Sequence, residues 1–204
     1  MVDASHAAIS ATASPILARR TRALLASLTG VVVLGIGWLA MALDAWRTLG
    51  VPTTGVNFGD LRVIAVAAQC AARDPNWSIA SEPCLPNMAH YNYPSLWAKV
   101  LGLLGGDATW TEPIAVLLIL VFALASAVLA YFALSGSARL FGWLALTLAC
   151  LTPPVWLAFQ RGNIDLAVFG VVTASAAAYV AGWRRTSGLL AGAAAALKLF
   201  PVGI

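Results

Sequence analysis

The sequence predicts an all-α protein that crosses a membrane several times. Hydrophobic residues make up 61% of the chain, charged residues only 10%, and the mean hydropathy is +0.86. Soluble domains carry about 25% charged residues, so this composition is typical of a bilayer protein. The net charge of +4 is compatible with nucleic-acid binding, but the basic residues are scattered among apolar runs and form no basic stripe. We therefore expect membrane lipids, and no nucleic acid, as partners.

Five apolar runs predict the membrane spans. A bilayer core is about 30 Å thick and needs about 20 apolar residues in a helix. Four runs reach that length, at residues 23–43, 113–135, 138–160 and 165–183. A fifth run, 188–204, is shorter and continues to the last residue. We therefore expect the sequence to be the N-terminal part of a longer protein, cut within a membrane helix.

The charges between the spans predict the orientation. Six arginines lie on the side that holds the N-terminus, whereas most acids lie on the other: Arg19, Arg20, Arg22, Arg139, Arg184 and Arg185. Because Lys and Arg accumulate in cytoplasmic loops, residues 1–22 form the predicted cytoplasmic tail and loop 44–112 is extracytoplasmic. The first apolar run exceeds the 7–15 residues of a signal-peptide core, so we expect an uncleaved anchor.

The outer loop 44–112 is long enough to have structure of its own. In "GVNFGDLRVIAVAAQCAARDP", Asp60 precedes a run that is compatible with a helix. "YNYPSLWAKVLGLLGG" places leucines and a tryptophan on one helical face, which predicts either a helix in the membrane interface or a short core helix of an outer domain. Cys70 and Cys84 lie 14 residues apart on the oxidising side, where a disulfide between them is compatible with their location.

Polar residues interrupt the apolar sequence between the third and fourth spans. "FQRGNID" brings Arg161, Asn163 and Asp165 within five residues. They form either a simple turn, with Asp165 capping the next helix, or the rim of a site for a lipid headgroup. Asp60 also has two interpretations, as the N-cap of a helix or as a catalytic acid at a helix start.

Lys198 lies inside the fifth apolar run. If that helix starts at Gly188, Lys198 lies about 15 Å along it, near the bilayer midplane. A cation there is costly and marks a pathway or a bound anion, unless the side chain snorkels to the interface. The cysteines and histidines form no cluster with metal-ligand spacing, so we expect no metal and no cofactor.

The order of these motifs resembles that of glycosyltransferase family 87, the polyprenol-phosphate-dependent membrane glycosyltransferases of the GT-C fold. The resemblance covers residues 20–204 and rests on "NFGDLRVI", "YNYPSLWAKVLGLLG", "PPVWLAFQRGNIDLAVFG" and "AAAALKLFP". It implies a GT-C-like transmembrane helix bundle with a long, partly helical first outer loop. It also implies transfer of a hexose, often mannose, from a polyprenyl-phosphate sugar to a lipid or glycan acceptor at the outer face of the plasma membrane.

The resemblance also implies the roles of individual residues. Asp60 matches the acid that serves the family as general base, and Tyr93 matches the aromatic residue of an aromatic–proline step. Asn163 matches a Gly–Asn element and Lys198 a Lys-x-x-Pro element, whereas Arg161 replaces a residue that is more often neutral. We expect Asp60 to take the acceptor's proton in an inverting displacement. Arg161, Asn163, Lys198 and Tyr93 would bind substrate, the two cations at the leaving phosphate.

Two alternatives to an enzyme are open at this point. A multi-pass lipid or solute transporter also places polar residues in broken helices, usually within internal repeats, and the sequence shows no repeat. A non-catalytic truncated fragment is the second alternative, because substrate-binding residues of a full-length enzyme would follow residue 204. The acid in the long outer loop favours a glycosyltransferase.

Overall fold

The fold is all-α over residues 15–53, 57–74, 95–135 and 139–199, which are the residues that the computed structural model describes. About 85% of these residues are helical and none of them is in a strand, which confirms the predicted all-α fold. Two short 3₁₀ turns, Ala45–Leu49 and Ala108–Trp110, accompany the α-helices. The α-helices are α1 Pro15–Ala42, α2 Gly59–Arg73, α3 Ser95–Leu103, α4 Thr111–Ala133, α5 Arg139–Cys150, α6 Pro153–Arg161, α7 Asp165–Val180 and α8 Arg184–Leu199.

Two or three of the described segments are long and apolar enough to cross a membrane. Arg19–Ala42 and Ala108–Ala133 each meet that requirement alone. Leu140–Cys150 and Pro153–Arg161 meet it together, as a pair bent by 45°. Helix α7 is apolar but has only 16 residues, or about 24 Å of helix. The chain is therefore an all-α membrane protein, and the number of its crossings stays a prediction.

Two helices differ from the sequence prediction in their bounds. Helix α1 begins at Pro15, so the second part of the predicted tail 1–22 is helical. The predicted span 138–160 consists of α5 and α6, which are separated by Leu151 and Thr152. The bend follows from two prolines in the first turn of α6, where a missing N–H group costs no hydrogen bond and the fixed φ favours a new helix start.

Small residues allow the long helices to pack closely. A Cβ atom on Gly30 of α1 would lie 3.1 Å from the carbonyl oxygen of Ala123 in α4. Helix α4 contacts α7 on a second side, where a Cβ atom on Gly170 would overlap Val121. Because lipid drives no hydrophobic association, membrane helices depend on such close contacts.

An aromatic cluster connects the bent pair to the rest of the bundle. Phe159 packs edge-on against Phe122 and Trp156, with both pairs of ring centroids 5.4 Å apart. Trp156 and Phe159 are fully buried. The C-terminal end of α6 is therefore packed between α1 and α4.

Candidate functional site

The start of α2 is docked on the end of α6. Phe58, the residue before α2, donates its backbone N–H to the carbonyl oxygen of Gln160 at 2.6 Å. Phe58 has a φ of 59°, which is uncommon for a residue other than glycine. It is also buried. The contact brings the segment that carries Asp60 against the end of the helix that carries Arg161.

Asp60 is the second residue of α2 and is half-buried. The N-cap position belongs to Phe58, which makes no side-chain cap, so the interpretation of Asp60 as the N-cap is wrong. Its carboxylate lies in the first helical turn, where the helix dipole favours a negative charge by about 0.3–1 kcal/mol. Asp60 thus lies at a helix start, immediately beside the contact with α6.

Residues 161–165 form the turn between α6 and α7. The N–H groups of Gly162 and Asn163 bond to the carbonyl oxygens of Phe159 and Ala158, at 3.1 and 2.9 Å. With Gly162 at a φ of 64°, this is the Schellman arrangement that ends a helix. The turn that the sequence predicted is therefore present, and glycine provides its left-handed residue.

Asn163 prepares the start of α7. Its Oδ1 atom accepts the backbone N–H of Asp165 at 2.9 Å, which satisfies one of the free donors at a helix N-terminus. Ile164 occupies the N-cap position of α7, and the side chain that accepts a hydrogen bond from the helix start is that of Asn163. Asp165 is therefore not the cap. Because the cap uses the side-chain oxygen, the amide NH₂ group is the part of Asn163 that can donate to a ligand.

Arg161 is the last residue of α6 and is half-buried. Among the residues that the structure describes, none forms an ion pair with its guanidinium. The helix C-terminus provides only a partial negative charge. A half-buried cation of this kind can accept an anionic ligand without first breaking an ion pair.

The register of α7 and α8 decides where position 198 lies. The two helices form an antiparallel hairpin in which Ser175 Oγ donates to the carbonyl oxygen of Ser187 at 2.8 Å. Val168 lies seven residues before Ser175, Ala194 lies seven residues after Ser187, and both line the same small pocket. Four residues further in the same two directions, position 198 of α8 is level with residue 164 at the start of α7.

Lys198 therefore belongs, by its backbone position, to the end of the bundle that carries the 161–165 turn. Helix α8 begins at Arg184 rather than Gly188, so position 198 lies about 21 Å along it and not midway. The side chain of Lys198 lies outside the described residues.

The remaining predicted site residues are only partly described. Tyr93 and Cys84 lie outside the described residues. Cys70 is disulfide-bonded and buried in α2, whereas Cys150 is a buried free thiol. The pairing of Cys70 with Cys84 stays a prediction. Across the four described ranges, no three Cys, His, Asp or Glu residues are grouped as they would be around a metal ion.

A polar cleft of about 710 Å³ lies beside the start of α2, and the sequence analysis did not identify it. Its lining residues are Asn57, Phe58, Arg62, Ala108, Thr109, Thr111 and Glu112. Asp60 is not among them, because it lies about 200° around the helix from Arg62. The sequence signal that could have indicated the cleft was a charged residue beside an apolar run, which occurs at Arg62 and again at Glu112.

One carboxylate next to the cleft is held in its ionised form. Asp107 Oδ1 accepts hydrogen bonds from the hydroxyl and the backbone N–H of Thr109. Both hydrogen bonds lower the pKa of Asp107 from its ordinary value, and the bond from the hydroxyl has the larger effect. Thr109 lines the cleft, so this edge of the cleft carries a fixed negative charge.

Comparison with known proteins gives one match. The model of Glycosyltransferase family 87 matches residues 91–204, which is more than half of the chain. No curated protein and no solved structure matches. The matched region includes Tyr93, Arg161, Asn163 and Lys198, whereas Asp60 precedes it.

Proposed function

The chain belongs to glycosyltransferase family 87 and is a membrane glycosyltransferase, and we propose that it transfers a hexose, mannose in particular, from a polyprenyl-phosphate sugar. The acceptor in this proposal is a lipid or glycan at the outer face of the plasma membrane. The reaction inverts the anomeric centre, with Asp60 as general base.

The observation that carries the proposal is the contact between the start of α2 and the 161–165 turn. A Cβ atom on Gly162 would lie 3.2 Å from the Cβ atoms of Phe58 and Leu61, so the two backbones meet directly. Phe58 and Leu61 flank Asp60 in the sequence. A base and a candidate phosphate-binding cation, Arg161, therefore come from segments about a hundred residues apart in the chain and lie at one end of the bundle.

In the proposed reaction, a carboxylate acts on the acceptor hydroxyl and two cations act on the leaving phosphate. The acceptor hydroxyl attacks the anomeric carbon and its proton passes to the Asp60 carboxylate. The bond between that carbon and the phosphate oxygen breaks, and its electron pair stays on the phosphate. Arg161 and Lys198 stabilise the charge that develops there.

The proposal also explains why the site lies at the end of membrane helices. A polyprenyl chain is soluble only in the bilayer, so its phosphate is confined to the membrane surface. Asn163 can add an NH₂ donor for the phosphate, next to Arg161. Tyr93 belongs to the proposed binding site on the strength of the family motif alone.

The proposal is tested by sugar transfer from radiolabelled polyprenyl-phosphate mannose in membranes that contain the full protein. We expect Asp60→Asn to lower transfer about 10²- to 10⁴-fold, the usual contribution of a general base. Asp44→Asn is the matched control, because Asp44 is an exposed carboxylate that has no role in the proposed reaction. Protein amount and melting temperature are measured for each variant.

Equal transfer by wild type and Asp60→Asn, at equal protein amounts, would remove Asp60 from catalysis. Absence of transfer by the wild type would contradict the proposed donor. Uptake of the radiolabelled donor without a glycosylated product would instead support transport.

A further inference from the structure

The end of the bundle opposite the proposed site carries positive but no negative side chains among the described residues. This end holds the first turns of α1, the end of α4 and the turn between α7 and α8. Every described aspartate and glutamate belongs instead to loop 44–112 or to the 161–165 turn. The arginines whose side chains the structure describes at this end are Arg19, Arg20, Arg22, Arg184 and Arg185. No carboxylate of the described chain therefore neutralises them.

Arg22 differs from the other four arginines. It is half-buried, and its guanidinium donates to Ser135 Oγ at 3.1 Å and lies 5.8 Å from the centre of the Tyr131 ring. Arg22 thus joins α1 to α4. The other four are exposed, and we call them the basic surface: Arg19, Arg20, Arg184 and Arg185. This surface attracts anions from outside the chain.

The start of α8 makes the charge imbalance larger. Arg184 and Arg185 are its first two residues, and its first turn contains no acid. The N-terminus of a helix carries a partial positive charge, which favours anions and disfavours cations. Two arginines at this place oppose that preference, and natural proteins break such local rules mainly at functional sites. An anion beside the two guanidinium groups would remove the conflict.

The basic surface lies at the level of lipid headgroups. The candidate span Arg19–Ala42 begins at Arg19 itself. Trp183 precedes α8 and is 67% exposed, and Leu189, about one turn after Arg185, is 77% exposed. Tryptophan is enriched at the boundary between membrane and water, and an exposed leucine next to it suits acyl chains. The anions at this level of a bilayer are lipid phosphates.

We infer that the basic surface binds anionic phospholipids, with their phosphates at the arginine pair of α1 and at the arginine pair of α8. Basic clusters beside membrane helices attract anionic headgroups, and a guanidinium can donate two parallel hydrogen bonds to one phosphate. A zwitterionic lipid is a weaker partner, because its own cation accompanies the phosphate. In the predicted orientation these lipids belong to the cytoplasmic leaflet. The inference does not depend on the proposed function.

Lipid binding also explains how the start of α8 is held. Helix α8 packs against α7 with Ala194 buried, whereas Gly188, Leu189 and Gly192 on its other sides are exposed. The depth of such a helix in the membrane is set partly by anchors at its ends, among them Trp and Arg. Lipids bound at the arginine pair of α8 would therefore fix the depth of this helix, and with it that of position 198.

The outer end of the bundle provides an internal comparison. Its exposed arginines Arg47 and Arg73 are accompanied by exposed acids, Asp44 three residues before the first and Asp74 directly after the second. Charges of both signs give little net attraction for an anionic lipid. Thr48 is exposed next to Arg47, so it is a suitable reporter position for this end.

The experiment measures lipid contact at three exposed positions of the full protein in phosphatidylcholine vesicles. A fluorophore is attached to Ala23→Cys, one turn after the arginine pair of α1, to Thr186→Cys, next to the pair of α8, or to Thr48→Cys. Phosphatidylglycerol or phosphatidylcholine with a quenching spin label near the headgroup is added at the same mole fraction. At Ala23 and Thr186 we expect phosphatidylglycerol to associate about fivefold or more strongly than phosphatidylcholine. At Thr48 we expect the two lipids to associate equally.

Each arginine pair has its own variant. Arg184→Gln/Arg185→Gln should remove the preference at the reporter on α8 and keep it at the reporter on α1, and Arg19→Gln/Arg20→Gln should do the reverse. Helix α4 packs against both α1 and α7 and separates them, so the pairs lie farther apart than the about 8 Å over which salt screens charges. Each variant is thus the matched control of the other. Arg184→Lys/Arg185→Lys retains the charge and should retain most of the preference.

Several results would overturn the inference. Equal quenching by the two lipids at both reporters of the basic surface would do so, as would a preference that survives the glutamine variants. A preference of the same size at Thr48 would show a general affinity for anionic lipid. Loss of the preference with inorganic phosphate, at constant ionic strength, would show a site for free anions. Because no sugar is transferred in this assay, its failure is distinct from failure of the proposed reaction.

Discussion

Residue 162 needs a glycine for two independent reasons. Its φ of 64° lies in the left-handed region, which costs other L-residues about 1–2 kcal/mol. Its α-carbon also faces the start of α2, where an added Cβ atom would lie 3.2 Å from those of Phe58 and Leu61. The first reason concerns the local turn, and the second concerns the contact that places Asp60.

The two reasons can be separated by comparing Gly162→Ala with Gly105→Ala. Gly105 has a φ of 70° but open space around its α-carbon, so its replacement reports the backbone cost alone. We expect Gly162→Ala to lose about 1–3 kcal/mol more stability than Gly105→Ala, the usual cost of overpacking. Thermal unfolding in detergent measures this difference. Sugar transfer should fall only in Gly162→Ala, and equal effects of the two variants would contradict the contact.

Among the helices, α3 shows how far periodicity predicts packing. The sequence indicated a helix at this place with an apolar face that consists of Leu96, Trp97, Val100, Leu101, Leu103 and Leu104. In the structure Leu101 of this set is buried and Trp97 packs against the core, but the other four residues are exposed and the most buried residue of α3 is Ala98. Hydrophobicity alone did not identify Ala98, because the close approach of α3 to α2 requires a small residue there. The exposed leucines leave contact with the membrane interface open.

The close approach of α3 to α2 predicts the effect of a single methyl group. A Cβ atom on Gly102 would lie 2.9 Å from the backbone carbonyl oxygen of Ala68, which cannot move without shifting α2. We expect Gly102→Ala to lower the free energy of unfolding by about 1–3 kcal/mol. Gly192→Ala should be neutral or slightly stabilising, because it adds helix propensity in open space. Denaturation followed by circular dichroism checks both, and equal stability would show that α3 packs elsewhere.

At the scale of the whole molecule, the bundle has two chemically different ends. Arg22 of α1 donates to Ser135 after α4, at 3.1 Å, and this end also holds the turn between α7 and α8. The opposite end holds Asp60, the 161–165 turn, position 198 and the polar cleft. Of the groups proposed to act on substrate, those whose backbone the structure describes are therefore at one end, and the arginines used to predict orientation flank the other.

This polarity predicts the membrane orientation. Thr48 and Thr186 are both exposed and lie toward opposite ends. With a membrane-impermeant maleimide on intact cells, we expect Thr48→Cys to be labelled and Thr186→Cys to be labelled only after permeabilisation. Cys150 is buried and Cys70 is disulfide-bonded, and the unsubstituted protein serves as control. The reverse pattern would place the proposed site in the cytoplasm.

The sequence by itself determined the helical class, the approximate helices and the polar residues at the α6–α7 turn, because hydrophobic length, proline positions and local charge act over a few neighbouring residues. It also indicated the family, through motifs such as the Gly–Asn element at residue 163. Only the tertiary structure decided three other features. They are the contact of Phe58 with Gln160, the location of position 198 beside the 161–165 turn, and the cleft between Arg62 and Glu112. Helical periodicity defines which face is apolar but not which distant helix covers it, and these contacts join residues between about 30 and 100 positions apart.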